Sequence, residues 1–263
     1  MLRTIFFWRV MGLITFLIVC PLVFLGGFVD SIAGGGGLIS LPAYVMTGMP
    51  VHFAIGTNKL SSAMGTTVST LQFARSGYMK LKLSVVTILA ALLGSFSGAR
   101  IALHISDYYF RIILLVVLPL TALYLVFNKK ALKANSFSED VVSKQVWTSV
   151  VIAFTLGIYD GFYGPGTGTF LLLCLAGIAH LPINLAAGTT KVINLTTNVT
   201  ALSVFLFSGK VLLVLGLTAG LFGIAGNYLG AVYFKRGGAK IAKPIILVVL
   251  VIFFVKLIFD FIK

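Results

Sequence analysis

The stretch Ala54-Ile55-Gly56-Thr57-Asn58-Lys59 decides how this chain is organised, because it occurs twice. Nearly the same six residues return 132 positions later as Ala186-Ala187-Gly188-Thr189-Thr190-Lys191, and each copy opens a long apolar run. Each copy also follows a glycine-rich stretch, at residues 34–37 and 164–168, that an aspartate precedes. The recurrence of a lysine, an aspartate and a glycine turn within apolar sequence indicates an internal duplication.

Further matches keep the same offset of 132 without a gap. They are Pro50/Pro182, Phe73/Phe205, Ser76/Ser208, Gly77/Gly209, Gly94/Gly226, Gly98/Gly230 and Ala99/Ala231. Leucine coincidences are expected in such a sequence, but matched glycine, proline and lysine residues are not. We therefore divide the chain into a first membrane repeat (1–128), a polar cytoplasmic linker (129–145) and a second membrane repeat (146–263).

The composition predicts an all-α polytopic membrane protein. Of 263 residues, 59% are hydrophobic and 10% are charged, whereas soluble chains carry roughly 25% charged residues. Ten apolar segments lie at about 10–29, 37–48, 54–74, 83–103, 110–128, 146–163, 168–180, 186–207, 211–234 and 244–262. Eight are long enough to span a bilayer; the second and seventh are short enough to be broken or re-entrant helices after the glycine turns.

The charges of the loops favour an inverted arrangement of the two repeats. The loop at residues 75–82 carries three positive charges, while its equivalent in the second half holds Lys210 nearly alone. The next loop reverses this difference, with four positive charges between residues 235 and 243. Exchanged charge in equivalent loops is expected of inverted topology. Eight and ten crossings give the same overall charge tally, so the number of crossings and the side of each terminus remain open.

Other classes of protein fit the sequence poorly. The net charge of +14 lies mostly in short loops, which is typical of loops beside anionic lipid, and no basic–aromatic stretch indicates nucleic-acid binding. Cys20 and Cys174 both fall inside apolar segments, so no disulfide framework is implied. No His-Glu-x-x-His motif is present. We expect no enzyme activity, no cofactor and no metal site.

The two lysines are the first candidates for function. Small or polar residues follow Lys59 at i+3 and i+7 (Ser62, Thr66), and Asn194 and Asn198 follow Lys191 at the same spacing, which places each set on one helix face. A lysine in the membrane costs several kcal/mol unless it faces a cavity or a partner. The alternative is that each lysine, near the start of its segment, reaches the membrane interface along its aliphatic stem.

The glycine turns and aspartates complete the candidate site. A helix that begins after an irregular glycine run presents unpaired N–H groups and the positive end of its dipole, which together favour an anion. The aspartates could pair with a lysine, cap the following short helix, or carry a proton. The predicted substrate-binding residues are Gly34, Gly35, Gly36, Gly37, Thr57, Asn58, Lys59, Gly164, Gly166, Gly168, Thr189, Thr190, Lys191 and Asn194. The predicted charge-balancing or proton-coupling residues are Asp30 and Asp160.

The paired motifs resemble the TauE/SafE family of sulfite exporters. The first reads Asp30-Ser-Ile-Ala-Gly-Gly-Gly-Gly37 followed by Ala54-Ile-Gly-Thr-Asn-Lys59, and the second reads Gly161-Phe-Tyr-Gly-Pro-Gly-Thr-Gly168 followed by Ala186-Ala-Gly-Thr-Thr-Lys191. The resemblance implies a bacterial inner-membrane carrier of sulfite, sulfonates or related organosulfur anions, driven by a proton-coupled route. The expected partners are a small anionic substrate and the lipid bilayer. The sequence leaves the oligomeric state open, and a homodimer is one possibility. A divalent metal cation permease, or a carrier of another small anionic metabolite, is the alternative.

Overall fold

The computed structural model describes residues 12–106 and 142–235, together with the isolated positions 108, 109, 112 and 116, and this part of the chain is all-helical. In the first half the helices are α1 (Leu13–Ala33), α2 (Gly37–Met46), α3 (Val51–Arg75) and α4 (Leu81–His104). In the second half they are α5 (Ser143–Phe162), α6 (Thr167–Gly177), α7 (Ile183–Phe207) and α8 (Leu213–Lys235). The predicted segments at 110–128 and 244–262, and most of the predicted linker, lie outside the described residues.

The eight predicted apolar segments that fall in the described ranges all form helices. Three of these helices, α1, α4 and α8, are long and apolar enough to cross a membrane. Helices α3 and α7 are the longest of the described helices, at 25 residues each, but they carry the lysines and several amides and hydroxyls. The sequence prediction counted them as spans by length; the structure adds that their polar faces are buried against other helices. Helix α5 begins at Ser143, three residues before the predicted start of the second repeat.

The two short helices follow the glycine turns, as predicted. Helix α1 ends where Gly34 adopts a left-handed conformation (φ 76°) and donates its N–H to the carbonyl of Asp30. Helix α2 then runs for 10 residues. In the second half Gly166, also left-handed (φ 84°), immediately precedes the 11 residues of α6. Left-handed backbone is strained for residues with a side chain, so glycine is needed at both turns.

The ends of α3 and α7 repeat the same local geometry. Each helix follows a proline. After its last residue each has a serine as C-cap and then a glycine with positive φ, Gly77 (73°) or Gly209 (64°). In both turns the residue after the glycine donates its N–H to a phenylalanine carbonyl, at 3.2 Å from Tyr78 and 2.9 Å from Lys210. The sequence offset of 132 therefore corresponds to repeated structure at this turn.

Helices of one half pack mainly against helices of the other half. Helix α4 packs on α5 and α7, and reciprocally α8 packs on α1 and α3. Along the first contact, Gly94 lies against Phe154 and Gly98 against Ile158, so α4 and α5 run in the same direction. Helices α3 and α7 run in opposite directions. Gly56 lies against Lys210, whereas Thr70, further along α3, donates its hydroxyl to the carbonyl of Lys191 at 3.2 Å, further back along α7.

Two apolar clusters hold this arrangement together. One surrounds α2 and draws on α1, α3, α7 and α8. The other surrounds α6 and draws on α4, α5 and α7. Because each short helix is enclosed by longer ones, the glycine turns lie inside the protein, where irregular backbone is tolerated at membrane depth.

Candidate functional site

Each buried lysine is paired with the aspartate of the other half. Lys59 Nζ on α3 lies 2.8 Å from Asp160 Oδ2 at the end of α5, and Lys191 Nζ on α7 lies 2.9 Å from Asp30 Oδ2 at the end of α1. Lys59 is 2% exposed and Lys191 is 3% exposed. Neither lysine reaches the protein surface. The alternative that each lysine extends along its aliphatic stem to the membrane interface therefore does not apply. Of the three roles that the sequence suggested for Asp30 and Asp160, the structure contains the pairing with a lysine.

The two ion pairs are not equivalent in their hydrogen bonds. The Lys191 amine also donates to the backbone carbonyl of Asp30, near the end of α1. Asn194 Nδ2, one turn along α7, lies 3.5 Å from Asp30 Oδ1. Within the described ranges the Lys59 amine makes one hydrogen bond, to Asp160 Oδ2 at 2.8 Å. Lys191 is therefore tied to α1 by two bonds, and Lys59 is the less constrained of the two amines.

A polar cavity of about 40 Å³ lies where the halves meet. A single water needs about 10–15 Å³ in the same measure, so the cavity has room for about three waters or one small oxyanion. Both halves contribute to its wall. The lining residues are Val23, Gly26, Gly27, Asp30, Gly34, Gly36, Gly37, Ser40, Asn58, Lys59, Ser61, Ser62, Thr66, Asp160, Gly164, Gly168, Asn194, Asn198, Gly223 and Asn227.

The glycine turns of the two halves touch each other at this cavity. A Cβ atom on Gly168 would lie 2.6 Å from the carbonyl oxygen of Gly34, so a side chain there would collide with backbone. A Cβ atom on Gly164 would lie 3.0 Å from Lys59 Nζ. Glycine therefore lets the turns approach one another and lets the lysine approach a turn.

The starts of α2 and α6 contribute backbone donors. In α2 the N–H groups of Leu38 and Ile39 bond back to the carbonyls of Gly35 and Gly36. Within the described part of the chain, no backbone acceptor is recorded for the N–H groups of Gly36, Gly37 and Gly168. Unpaired N–H groups at a helix start carry partial positive charge, which favours an anion in the adjoining space.

Amide and hydroxyl side chains form the rest of the wall. Asn58 is 7% exposed, and among the described residues its Oδ1 has no hydrogen-bond partner. Asn198 Nδ2 donates to the carbonyl and to Oδ1 of Asn194, at 2.8 and 3.1 Å. A buried polar atom without a partner is costly, which makes Asn58 the side chain most in need of a ligand or an ordered water.

Asn227 on α8 is a cavity residue that sequence reasoning missed. Its Oδ1 accepts a hydrogen bond from the hydroxyl of Ser31 at 2.9 Å, and its Nδ2 donates to the carbonyl of Gly223 at 3.0 Å. A single amide within an otherwise apolar run, next to the matched Gly226, was the available signal. Its role in the wall depends on the packing of α8 against α1, which the sequence alone does not disclose.

The structure brings together ten of the sixteen predicted site residues at the cavity. Lys191 and Thr190 instead line a neighbouring pocket of about 10 Å³, which shares Asp30, Gly34 and Gly168 with the first. Thr57 Oγ1 accepts the N–H of Leu212 at 3.0 Å, just before α8. Gly35, Gly166 and Thr189 line neither pocket. Their predicted contact with substrate stays a prediction.

The charges of the site balance. Asp30, Asp160 and Lys59 are the charged residues that line the cavity, and Lys191 neutralises Asp30 from the neighbouring pocket. With both pairs formed, the ionised side chains sum to zero. Charge-assisted bonds of this kind are strong only when both partners remain in place, because a lone buried charge is unstable.

Apolar helices long enough to span a membrane, with a polar cavity where the two halves of the described chain meet, are typical of a membrane transporter. Comparison with known proteins agrees. A family model described as Sulfite exporter TauE/SafE matches residues 19–257. The chain belongs to the TauE/SafE family.

Several relatives are similar over nearly their whole length. "Probable membrane transporter protein ORF9" of Sinorhizobium sp. is 37% identical over 248 residues, which are 94% of this chain and 93% of the relative. A probable membrane transporter protein of Haemophilus influenzae is 32% identical, over 90% of this chain and 92% of its own. The Escherichia coli K12 protein YfcA, also named a probable membrane transporter protein, is 30% identical over 90% of this chain and 87% of its own length. No solved structure matches the chain significantly.

Proposed function

We propose that this chain is a secondary transporter of small anions, with sulfite, sulfonates or related organosulfur compounds as its substrates. The observation that carries the proposal is the cavity between the halves. The Lys59 amine lines it together with the glycine turns that begin α2 and α6. A lysine and two helix N-termini supply the positive potential and the N–H donors that an oxyanion needs. The volume of about 40 Å³ favours a compact anion over a large metabolite.

The two repeats are inverted in this proposal, and rocking of one against the other alternates access to the cavity. The antiparallel contact between the equivalent helices α3 and α7 supports inversion, because repeats of the same orientation would place these helices parallel. Reciprocal packing of α4 on α5 and of α8 on α1 fits the same arrangement. The protein resides in the bacterial inner membrane.

Transport is coupled to protons through the ion pairs. An anion that enters the cavity must compete with Asp160 for the Lys59 amine, which lies 2.8 Å from the carboxylate. A proton on Asp160 removes that competition and leaves a net positive site. Anion and proton therefore bind together, and the aspartate carries the proton while the lysine holds the anion. Asp30 and Lys191 form the second pair, with the same chemistry.

The alternative, a divalent metal permease, has less support. Metal ions such as nickel require several free carboxylate, imidazole or thiolate ligands. In the described ranges no three histidine, cysteine, aspartate or glutamate residues come close enough to hold a metal ion. Both carboxylates of the cavity are already bound by lysine.

Uptake into proteoliposomes tests the proposal directly. Purified protein should accumulate radiolabelled methanesulfonate, which stays ionised and does not leak as a neutral acid, and labelled nickel should remain outside. The matched control is Lys59→Met/Asp160→Asn, which removes both charges of one pair together. Nickel uptake by the wild type, with no anion uptake above that of the control, would replace the anion proposal with the metal alternative.

A further inference from the structure

The cavity lies mainly against one cluster of helices, α1, α3 and α8. Beyond the central lysine and glycine turns, its wall continues along α1 and α8, at Val23, Gly26, Gly27, Gly223 and Asn227. These residues lie where α1, α3 and α8 meet. Three of the five are glycines, which let α1 and α8 approach each other: a Cβ atom on Gly27 would lie 2.7 Å from the carbonyl oxygen of Gly223.

The equivalent residues of the second half are buried and do not line the cavity. The offset of 130 that relates Asp30 to Asp160 pairs Val23 with Ala153 on α5, and the offset of 132 pairs Gly223 and Asn227 with Ala91 and Ser95 on α4. These three counterparts, all within the described ranges, are 0% exposed and do not line the cavity.

A direct contact links α4 to α7 in this region. The Ser95 hydroxyl donates to the carbonyl of Thr197 on α7 at 2.8 Å. The residues of α4, α5 and α7 that line the cavity are Asp160, Asn194 and Asn198, whereas their counterparts α1, α3 and α8 contribute eleven lining residues.

We infer that the cluster of α1, α3 and α8 forms the access route to the substrate cavity in this conformation, and that α5, α7 and α4 form the route in the opposite conformation. The two clusters are built from equivalent residues, so exchanging their packing interconverts an open and a closed route. Antiparallel equivalents place the two routes on opposite sides of the membrane. This inference rests on the proposed transport function and names the path that substrate takes within it.

The unpaired oxygen of Asn58 supports a ligand in this space. Asn58 lies on α3, one residue before Lys59, and lines the cavity. Its counterpart Thr190 lines the smaller pocket beside Lys191, and Thr190 Oγ1 likewise has no hydrogen-bond partner among the described residues. Each half thus holds at least one unpartnered polar side chain beside its lysine, and in the second half the Thr189 Oγ1 atom is unpartnered as well among the described residues.

Thiol accessibility tests the two routes. The background replaces the two native cysteines, Cys20→Ala and Cys174→Ala, and receives either Val23→Cys or Ala153→Cys. Right-side-out and inside-out membrane vesicles are treated with a membrane-impermeant maleimide, and labelling is followed by mass shift. Ser95→Cys, which is nearly isosteric, is a second probe of the closed route, and a cooperative thermal unfolding transition of each purified variant shows that it is folded.

We expect Val23→Cys to react from one side of the membrane only, at least tenfold faster than Ala153→Cys in the absence of substrate. Ala153→Cys and Ser95→Cys should react only from the other side. Reaction of all three from one side, equal rates at positions 23 and 153, or no reaction where a loop cysteine is labelled would overturn the two-route inference. If methanesulfonate is transported in any of those cases, the proposed function stands without it. If wild-type protein transports no sulfur anion, the proposed function fails whatever the labelling pattern.

Discussion

Replacing Asp160 with asparagine removes the charge that neutralises Lys59 and keeps the size of the side chain. The two groups lie 2.8 Å apart. With an effective dielectric constant of about 20, their attraction is about 6 kcal/mol. Part of this is offset by the cost of holding both charges away from water, and removing one partner of a buried pair typically costs about 3–5 kcal/mol of stability. We expect Asp160→Asn to be destabilised by that amount without ligand.

The same substitution should strengthen anion binding. Without a competing carboxylate, the Lys59 amine is free to take an anion at a similar distance. We expect the dissociation constant for methanesulfonate to fall at least tenfold, which is about 1.4 kcal/mol. Binding to the wild type should strengthen as pH falls, because a proton on Asp160 releases the amine. Binding to Asp160→Asn should lose the part of this pH dependence that comes from Asp160.

Thermal unfolding of purified protein, with and without methanesulfonate across a pH series, measures both effects. The double variant Lys59→Met/Asp160→Asn has no unpaired charge from this ion pair, so it should be more stable than Asp160→Asn and yet bind no anion. Weaker anion binding by Asp160→Asn than by the wild type, or a double variant that binds anion as well as the wild type, would refute the role given to the pair.

Two further substitutions, Gly168→Ala with Gly48→Ala as its control and Thr57→Val, test the architecture around the site. Gly168→Ala should destabilise the protein by more than about 3 kcal/mol, because the new Cβ would meet the Gly34 backbone at 2.6 Å. Gly48→Ala, at a left-handed residue with open space around it, should cost only about 1–2 kcal/mol; equal losses of melting temperature would contradict the contact between the turns. Thr57→Val should cost about 1–2 kcal/mol by leaving the N–H of Leu212 without its acceptor, while anion affinity changes less than threefold; a tenfold loss of affinity in a stable Thr57→Val protein would make Thr57 a substrate ligand.

Features set by local sequence were predictable. The glycine-rich stretches at residues 34–37 and 164–168 predicted breaks between helices. In the structure Gly34 and Gly166 adopt positive φ at these breaks. Apolar runs of the observed lengths could form only long helices or, after the turns, short ones. The helical spacing from Lys59 to Ser62 and Thr66 correctly placed these residues on one face, since all three line the cavity.

Features set by long-range packing were not predictable. The sequence left open which lysine pairs with which aspartate. The structure pairs each lysine with the aspartate of the opposite half, because the turns cross at Gly34 and Gly168. Nor did the sequence indicate that the hydroxyl of Thr57 accepts the N–H of Leu212, just before α8; the predicted contact of Thr57 with substrate stays a prediction.

The inequality of the two halves is the second feature that could not be predicted. Lys59 and Lys191 occupy equivalent positions in the sequence, yet one lines a cavity of about 40 Å³ and the other a pocket of about 10 Å³. The motifs themselves do not encode this difference, because the residues packed around them differ between the halves, as Gly223 and Asn227 differ from Ala91 and Ser95.

Simultaneous measurement of anion and proton movement tests the central claim most directly. Proteoliposomes that contain a trapped pH-sensitive dye would be exposed to external labelled methanesulfonate, with the Lys59→Met/Asp160→Asn protein as control. We predict that the interior acidifies as methanesulfonate enters, at a rate at least tenfold above that of the control, and that an inward proton gradient speeds the uptake. Methanesulfonate uptake without any proton movement, or proton movement that the anion does not alter, would contradict a site in which a paired lysine accepts an anion only when its aspartate accepts a proton.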